Sequence, residues 1–275
     1  HLETDEEVLH QATDPFFTAS TFKVPLLVEI YRQVDSGTVD MNSRIELTDR
    51  LRAPGSGVLK ELANGLSLTV HDLAVLMIII SDNTATDMLY DLIDRRCLNQ
   101  TMQELGLTST RIPMSCRELL YSMYGIHTHN IAEAATQVSD RLAKSQVVED
   151  SEGASLDNSN VSSPSDMVGL LGMLYRDDIL SSSSRHAALD ILGRQQHNTI
   201  IPHYLPPGTK TAHKTGGVTG VRCDVGIVYA PSGSYTVALM AREVADRSKI
   251  DRQLAGVSRA LYEHFEGSTM ASGFV

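Results

Sequence analysis

Cysteine is scarce and scattered. Cys97, Cys116 and Cys223 form no Cys-x-x-Cys pair, which argues against a disulfide framework and a thiolate zinc site; all three are expected to be buried or partly buried thiols. Basic charge is also short, with 23 Lys+Arg against 34 Asp+Glu and a net charge of −11. A surface of that sign disfavours nucleic acid and anionic membranes, leaving a small-molecule substrate as the expected partner. No apolar run reaches the roughly 18 residues of a membrane-spanning helix; the longest, Leu73 to Ile80, suits a buried core helix. The stretch after His1 shows neither the charged start nor the apolar stretch of an export signal. His127 and His129 have no third ligand pattern beside them, so no metal and no cofactor is expected. There is no internal repeat.

What the chain does have is length. Its 275 residues suffice for one large domain or two lobes, and a chain of this size buries roughly 70–75% of its unfolded surface. Residues 1–15 are acidic and suggest a strand end or hairpin leading into a helix over about 20–36. A short strand is expected at 45–48 and a glycine-rich loop at 54–57. Thr69, three residues before Asp72, marks the start of the apolar helix by a capping box. Further helices are expected at 84–94, 98–105, 130–144, 164–175 and 183–194, with one helical turn at 117–124 inside an otherwise irregular 107–129. The stretch 147–161, rich in Glu, Asp, Ser and Asn, suggests a solvated connection. From 210 the period changes to that of strands, at 211–214, 224–229 and 234–240, joined first through a glycine-rich turn, and a closing helix covers 249–265. This predicts an α/β (α+β) domain over 1–266 with two lobes. A helical lobe takes about 38–195, a lobe containing an antiparallel sheet shared by strands of both chain ends takes 1–37 and 196–266, and 267–275 is a loose tail.

Three short motifs stand out by their chemistry. In Ser20-x-x-Lys23 the two side chains fall on one helix face, about 5–6 Å apart at Cβ, so a partly desolvated lysine can take the proton of a serine that is otherwise a weak nucleophile. Helix-start N–H groups stand ready for a developing oxyanion. Ser81-Asp82-Asn83 falls in a loop between helices, and Lys214-Thr215-Gly216 on a strand, with Gly217 following. Glycines there let a substrate lie against the strand edge. Each motif is common by chance; their order, contexts and separations of about 60 and about 130 residues are not common together.

With its flanking residues Phe17 to Pro25 and Ile80 to Asp87, this set resembles the penicillin-recognising serine hydrolases, most of all class A β-lactamases. The resemblance covers about 10–265 and implies a helical lobe packed on an antiparallel sheet, with the site between them. It implies Ser20, Lys23 and Ser81 as catalytic residues: nucleophile, base or relay, and proton donor to the leaving nitrogen. It implies Asn83, Lys214, Thr215, Gly216 and Gly217 as substrate-binding residues, with an oxyanion hole from the N–H groups of Ser20 and Gly217. The implied activity is β-lactam ring opening through an acyl-serine. D-alanyl carboxypeptidase or esterase activity through the same serine is the alternative, as is a penicillin-binding sensor that stays acylated. A β-lactamase would be periplasmic or secreted; the oligomeric state is left open.

The chain departs from the pattern twice. Where the family carries the loop glutamate that activates the deacylating water, alignment places Cys116, with Glu118 two residues on as a candidate substitute. The family's leading helix and strand have no counterpart before the matched segment. Of the remaining polar residues, His213 is expected to be a packed, hydrogen-bonded group, and Arg222 and Asp224 either line the site or pair.

Overall fold

The computed structural model describes residues 1–272, with side chains described to 267. The principal sheet has three antiparallel strands, β5 (Lys210–Val218), β6 (Gly220–Ala230) and β7 (Gly233–Val244), in the order β5-β6-β7. Period-2 alternation sends β6 side chains to opposite faces, and both faces are covered. Val225 and Ile227 join the main core with α1 (Lys23–Asp35), α2 (Val70–Ile79), α7 (Pro164–Arg176) and α8 (Ser182–Gly193), while Val228 packs with Tyr235, Tyr262 and Phe265 under α9 (Arg247–Ser272). Burial on two faces explains why β6 is apolar nearly throughout.

The helical lobe is centred on α2, whose start is fixed by the expected Thr69–Asp72 capping box. Leu73, Ala74, Met77 and Ile78 are buried in the main core, and truncating such a leucine typically costs about 2–5 kcal/mol. Around it lie α3 (Asn83–Leu92), α4 (Arg95–Glu104), α5 (Cys116–Tyr124) and α6 (Ile131–Ala143). Two small pairings brace the lobe: β2 (Arg44–Glu46) with β3 (Ser67–Thr69), and β1 (Phe16–Phe17) with β4 (Val161–Ser162).

Several expectations are corrected. The N-terminal strand pairs with β4, outside the principal sheet, because residues 1–15 form turns rather than a hairpin; they meet that sheet through a bond from Leu2 N–H to the Ser234 carbonyl and through the Asp14–Arg242 ion pair at 3.6 Å. Gly216 and Gly217 lie within β5 rather than in a turn, since the ladder continues to Val218↔Val221. Residues 147–161 keep Glu149, Asp150, Glu152 and Asp157 exposed, as a solvated connection does, but the backbone is anchored to α5: Val148 N–H donates to the Met123 carbonyl at 2.9 Å and Gly153 N–H to Ser122 Oγ at 2.8 Å. Gly153 sits so close to α5 that a Cβ there would come within 2.9 Å of the Leu119 carbonyl oxygen. The segment expected as a tail is helical to Ser272; 273–275 lie outside the described residues. Cys97 is exposed, while Cys116 and Cys223 are buried.

Candidate active site

Ser20 lies in a single 3-10 turn, Ala19–Phe22, that leads directly into α1. The turn is held by Thr18, whose backbone N–H and Oγ1 both donate to the Asn160 carbonyl at 3.0 and 3.2 Å. Ala19 takes a left-handed φ of +43°. A residue with a Cβ adopts that conformation only where its surroundings impose it, and here it presents the half-buried Ser20 to a cleft of about 910 Å³. The cleft also reaches Asn83, Cys116 and Gly217.

Lys23 is fully buried and its ammonium nitrogen donates to the Ser81 carbonyl at 2.9 Å, Ser81 Oγ at 3.0 Å and Asn83 Oδ1 at 2.8 Å. Its hydrogen bonds thus run to the loop after α2 rather than to Ser20. Burial lowers its pKa, against an opposing pull from the Cys116 thiol and the carboxylates of Asp82 and Asp87. Ser81 itself has a φ of +57°, a second strained residue at the same place. Asn83 is fixed from its other end, its Nδ2 donating to the Pro54 carbonyl at 2.8 Å.

Asp82, to which the sequence assigned no role, is the anchor of this loop. Its carboxylate caps α3 through Ala85 N–H at 2.9 Å and accepts from Val58 N–H at 2.6 Å and Leu59 N–H at 2.9 Å. A Cβ at Gly57 would collide with it. The serine, the carboxylate and the asparagine are therefore held as one rigid corner. The only signal in the sequence was an acidic residue just before a helix, a common N-cap.

From the other lobe, β5 brings Lys214, Thr215, Gly216 and Gly217. Lys214 is fully buried, its Nζ donating to the Thr215 carbonyl at 2.6 Å. Burial first, and the charge of Lys23 second, lower its pKa well below the ordinary lysine value. A Cβ on Gly216 would lie 2.8 Å from the Thr18 carbonyl oxygen and 3.0 Å from Ser20 N, so only glycine lets the strand edge come this close to the serine turn. Beneath the strand, the Arg222 guanidinium donates to the Gly216 carbonyl at 3.2 Å and grips Asp251 of α9 with Nε and Nη2. Arg222 and Asp224 therefore do not pair with each other. Asp224 instead meets His213 Nδ1 at 2.8 Å, and His213 Nε2 meets Asn198 Oδ1 at 3.1 Å, a packed, hydrogen-bonded histidine.

Cys116 is 4% exposed, lines the cleft and lies close enough to Lys23 for the two to shift each other's titration. Burial pushes its thiol up to about 12. Glu118 is elsewhere. It completes a capping box with Ser115 and pairs with Arg95 at 3.2 Å in solvent, because position 118 is the third residue of α5 and its carboxylate serves the helix start. Cys116, at the first position, is held over the cleft by Asp87, whose carboxylate accepts the N–H groups of Cys116 and Arg117 at 2.7 and 2.9 Å. Asn160, another residue the sequence did not single out, clamps Met114 through both amide atoms, at 3.0 and 2.8 Å. Among the described residues no group of His, Cys, Asp and Glu could hold a metal ion.

A family profile described as "Beta-lactamase enzyme family" matches residues 1–265. The chain belongs to the β-lactamase family. The extended-spectrum β-lactamase PER-1 of Pseudomonas aeruginosa is 24% identical over 278 aligned positions, covering 94% of this chain and 78% of that one. A β-lactamase structure from Sphaerobacter thermophilus is 30% identical with a TM-score of 0.80, covering 95% and 88% of the two chains. A point variant of PBP-A, solved as an acyl-enzyme with penicillin G, is 30% identical with a TM-score of 0.79, covering 97% and 88%. The fold of this β-lactamase-family protein is the one they share.

Proposed function

We propose that the protein opens β-lactam rings through an acyl-serine on Ser20. The observation that carries this reading is the buried Lys23 amine, which is held against Ser81 Oγ and Asn83 Oδ1, Asn83 lining the cleft together with Ser20. Desolvation favours its neutral form, so it can take the Ser20 hydroxyl proton as Oγ attacks the lactam carbonyl carbon. The N–H groups of Ser20 and Gly217 receive the oxyanion. When the carbonyl–nitrogen bond breaks, the proton on Lys23 passes through Ser81 Oγ, 3.0 Å away, to the leaving nitrogen. Lys214 and Thr215 hold the substrate carboxylate, and the Asn83 amide orients the substrate.

Cys116 favours a second reading, in which the acyl-serine persists and the protein is a penicillin-binding sensor. A thiol pushed up to about 12 is neutral and draws no proton from water, so the ester meets water without the base a carboxylate would supply. The acyl-enzyme of the PBP-A variant supports penicillin as the probe. Intact-mass spectrometry after mixing with penicillin G, sampled from seconds to hours, tests both readings. A Ser20-dependent adduct that decays as opened drug accumulates is the expected result. An adduct that persists favours the sensor, and no adduct on wild type, or an equal one on Ser20→Ala, overturns the acyl-serine mechanism.

A further inference from the structure

We propose that the cleft beside Ser20 takes a long, unbranched apolar acyl group, so that preferred acyl donors carry an aliphatic chain on the carbonyl attacked by Ser20. This rests on the acyl-serine reading and adds the class of acyl group. The cleft does not end at the nucleophile. It continues from Ser20 and Gly217 between α5 and α6, and at about 910 Å³ it exceeds what a compact bicyclic substrate fills, near the top of the range for drug-sized ligands.

Its two walls differ in kind. The α6 wall includes Ala132, Ala135, Ser139 and Ala143, small residues at helical spacing over about 16 Å of helix at 1.5 Å per residue, with Val138 and Leu142 adding apolar surface between them. The α5 wall presents Leu120 and Tyr124. The Tyr124 hydroxyl is 3.0 Å from Thr219 Oγ1, which pins this wall to the β5–β6 turn, and the ring itself is buried with Leu120, Met123 and Val138 as the apolar backing of the cleft. The charges at the rim are paired among themselves, Lys60 with Glu61 at 3.4 Å and Asp140 with Lys144 at 2.8 Å.

An extended peptide is a poor occupant of such a groove. Beyond the β5 edge at Gly217 and Val218, both walls are helices whose backbone groups are bonded internally, so a peptide running between α5 and α6 would leave its own N–H and C=O groups without partners. An alkyl chain has none to satisfy, and gains free energy with every methylene removed from water. Lys214 and Thr215, which hold the carboxylate carried on the leaving-group side, do not line this groove, so a chain running along it from Ser20 lies on the acyl side of the scissile bond, the part retained on the serine.

The test is the rate of p-nitrophenol release from the acetyl, hexanoyl and decanoyl p-nitrophenyl esters, with the acyl-Ser20 adduct checked by mass and Ser20→Ala as control. Acylation efficiency should rise by about fourfold per methylene while the chain is still entering the groove. In Ala135→Phe, which fills the groove, the decanoyl-to-acetyl ratio should fall at least tenfold. Should that half-buried position fail to fold with Phe, Ser139→Trp at an exposed position should lower the same ratio. A flat or falling series with acyl-Ser20 forming, or a ratio unmoved in a folded variant, overturns the inference while leaving the acyl-serine reading intact. No adduct from any ester or from penicillin G overturns both.

Discussion

Replacing Cys116 by glutamate should shorten the life of the acyl-serine by about a hundredfold. The backbone of residue 116 is held through its N–H by Asp87 at 2.7 Å, a bond that any side chain leaves in place. The longer side chain would grow from a position that lines the same cleft as Ser20 and lies close to Lys23. A positioned general base accelerates proton transfer by about 10²–10⁴, equivalent to about 2.7–5.4 kcal/mol of barrier at 1.36 kcal/mol per decade. The lower end is expected because Asp87 is buried close by, its carboxyl pushed up to about 6 by desolvation. A second carboxylate there is repelled when both are ionised, so it would act as a base only as pH rises toward neutrality. The assay is a pulse of penicillin G followed by intact-mass spectrometry of the acyl-Ser20 decay, with Cys116→Gln as the control of similar shape that cannot act as a base. If Cys116→Glu is folded and acylates at the wild-type rate, yet its adduct lives within twofold of wild type, the assignment of the missing base to position 116 is refuted.

Acylation by penicillin should rise with pH through a lysine pKa below 10.5, since burial lowers that of Lys23; an acid limb at or above that value in stopped-flow acylation would contradict Lys23 as base. Asp87 has a folded pKa of about 6 against 3.8 in the unfolded chain. The native state therefore binds more protons in that window, and urea stability should fall as pH rises from 3.8 to about 6; Asp87→Asn should flatten that slope, which parallel titrations of both proteins would show. Gly216→Ala drives a Cβ to 2.8 Å from the Thr18 carbonyl oxygen, and because a displacement of about 1 Å at a reacting group costs on the order of 10²-fold, stopped-flow acylation should drop by that order, with a stability loss of about 1–3 kcal/mol in urea as strand and turn are forced apart. Asp82→Ala removes three backbone bonds of 2.6–2.9 Å and should cost about 3 kcal/mol or more, measured by urea unfolding; a loss under about 1 kcal/mol would show that the corner is held by something else.

The local pattern of this chain was strong enough to locate nearly every helix. Thr69 with Asp72 marked its helix start, because such a cap is satisfied within one turn. Where residues failed to announce themselves, the partner was far away in sequence. The acidic side chains of 147–161 are exposed, as their composition says, but Gly153 fits against the backbone of α5, a contact no composition encodes. The strands around 211–240 were placed but drawn too short, since a ladder extends wherever its neighbour offers bonds. Arg222 and Asp224 invited pairing at i,i+2, yet chose Asp251 and His213 once the sheet and α9 were assembled.

The sequence by itself determined the chemistry available to this protein: a serine with a lysine one helical turn away, a Ser-Asp-Asn corner, a Lys-Thr-Gly-Gly strand, and a thiol where a carboxylate was expected. Those are local covalent facts, readable because short-range geometry follows from spacing along the chain. Only the tertiary structure decided that Lys23 bonds to Ser81 and Asn83, that Glu118 is spent on a helix start while Cys116 overlooks the cleft, and that α6 walls a groove leading away from Ser20. Those outcomes depend on which buried groups meet across tens to hundreds of residues, where desolvation and packing, not spacing, choose the partners.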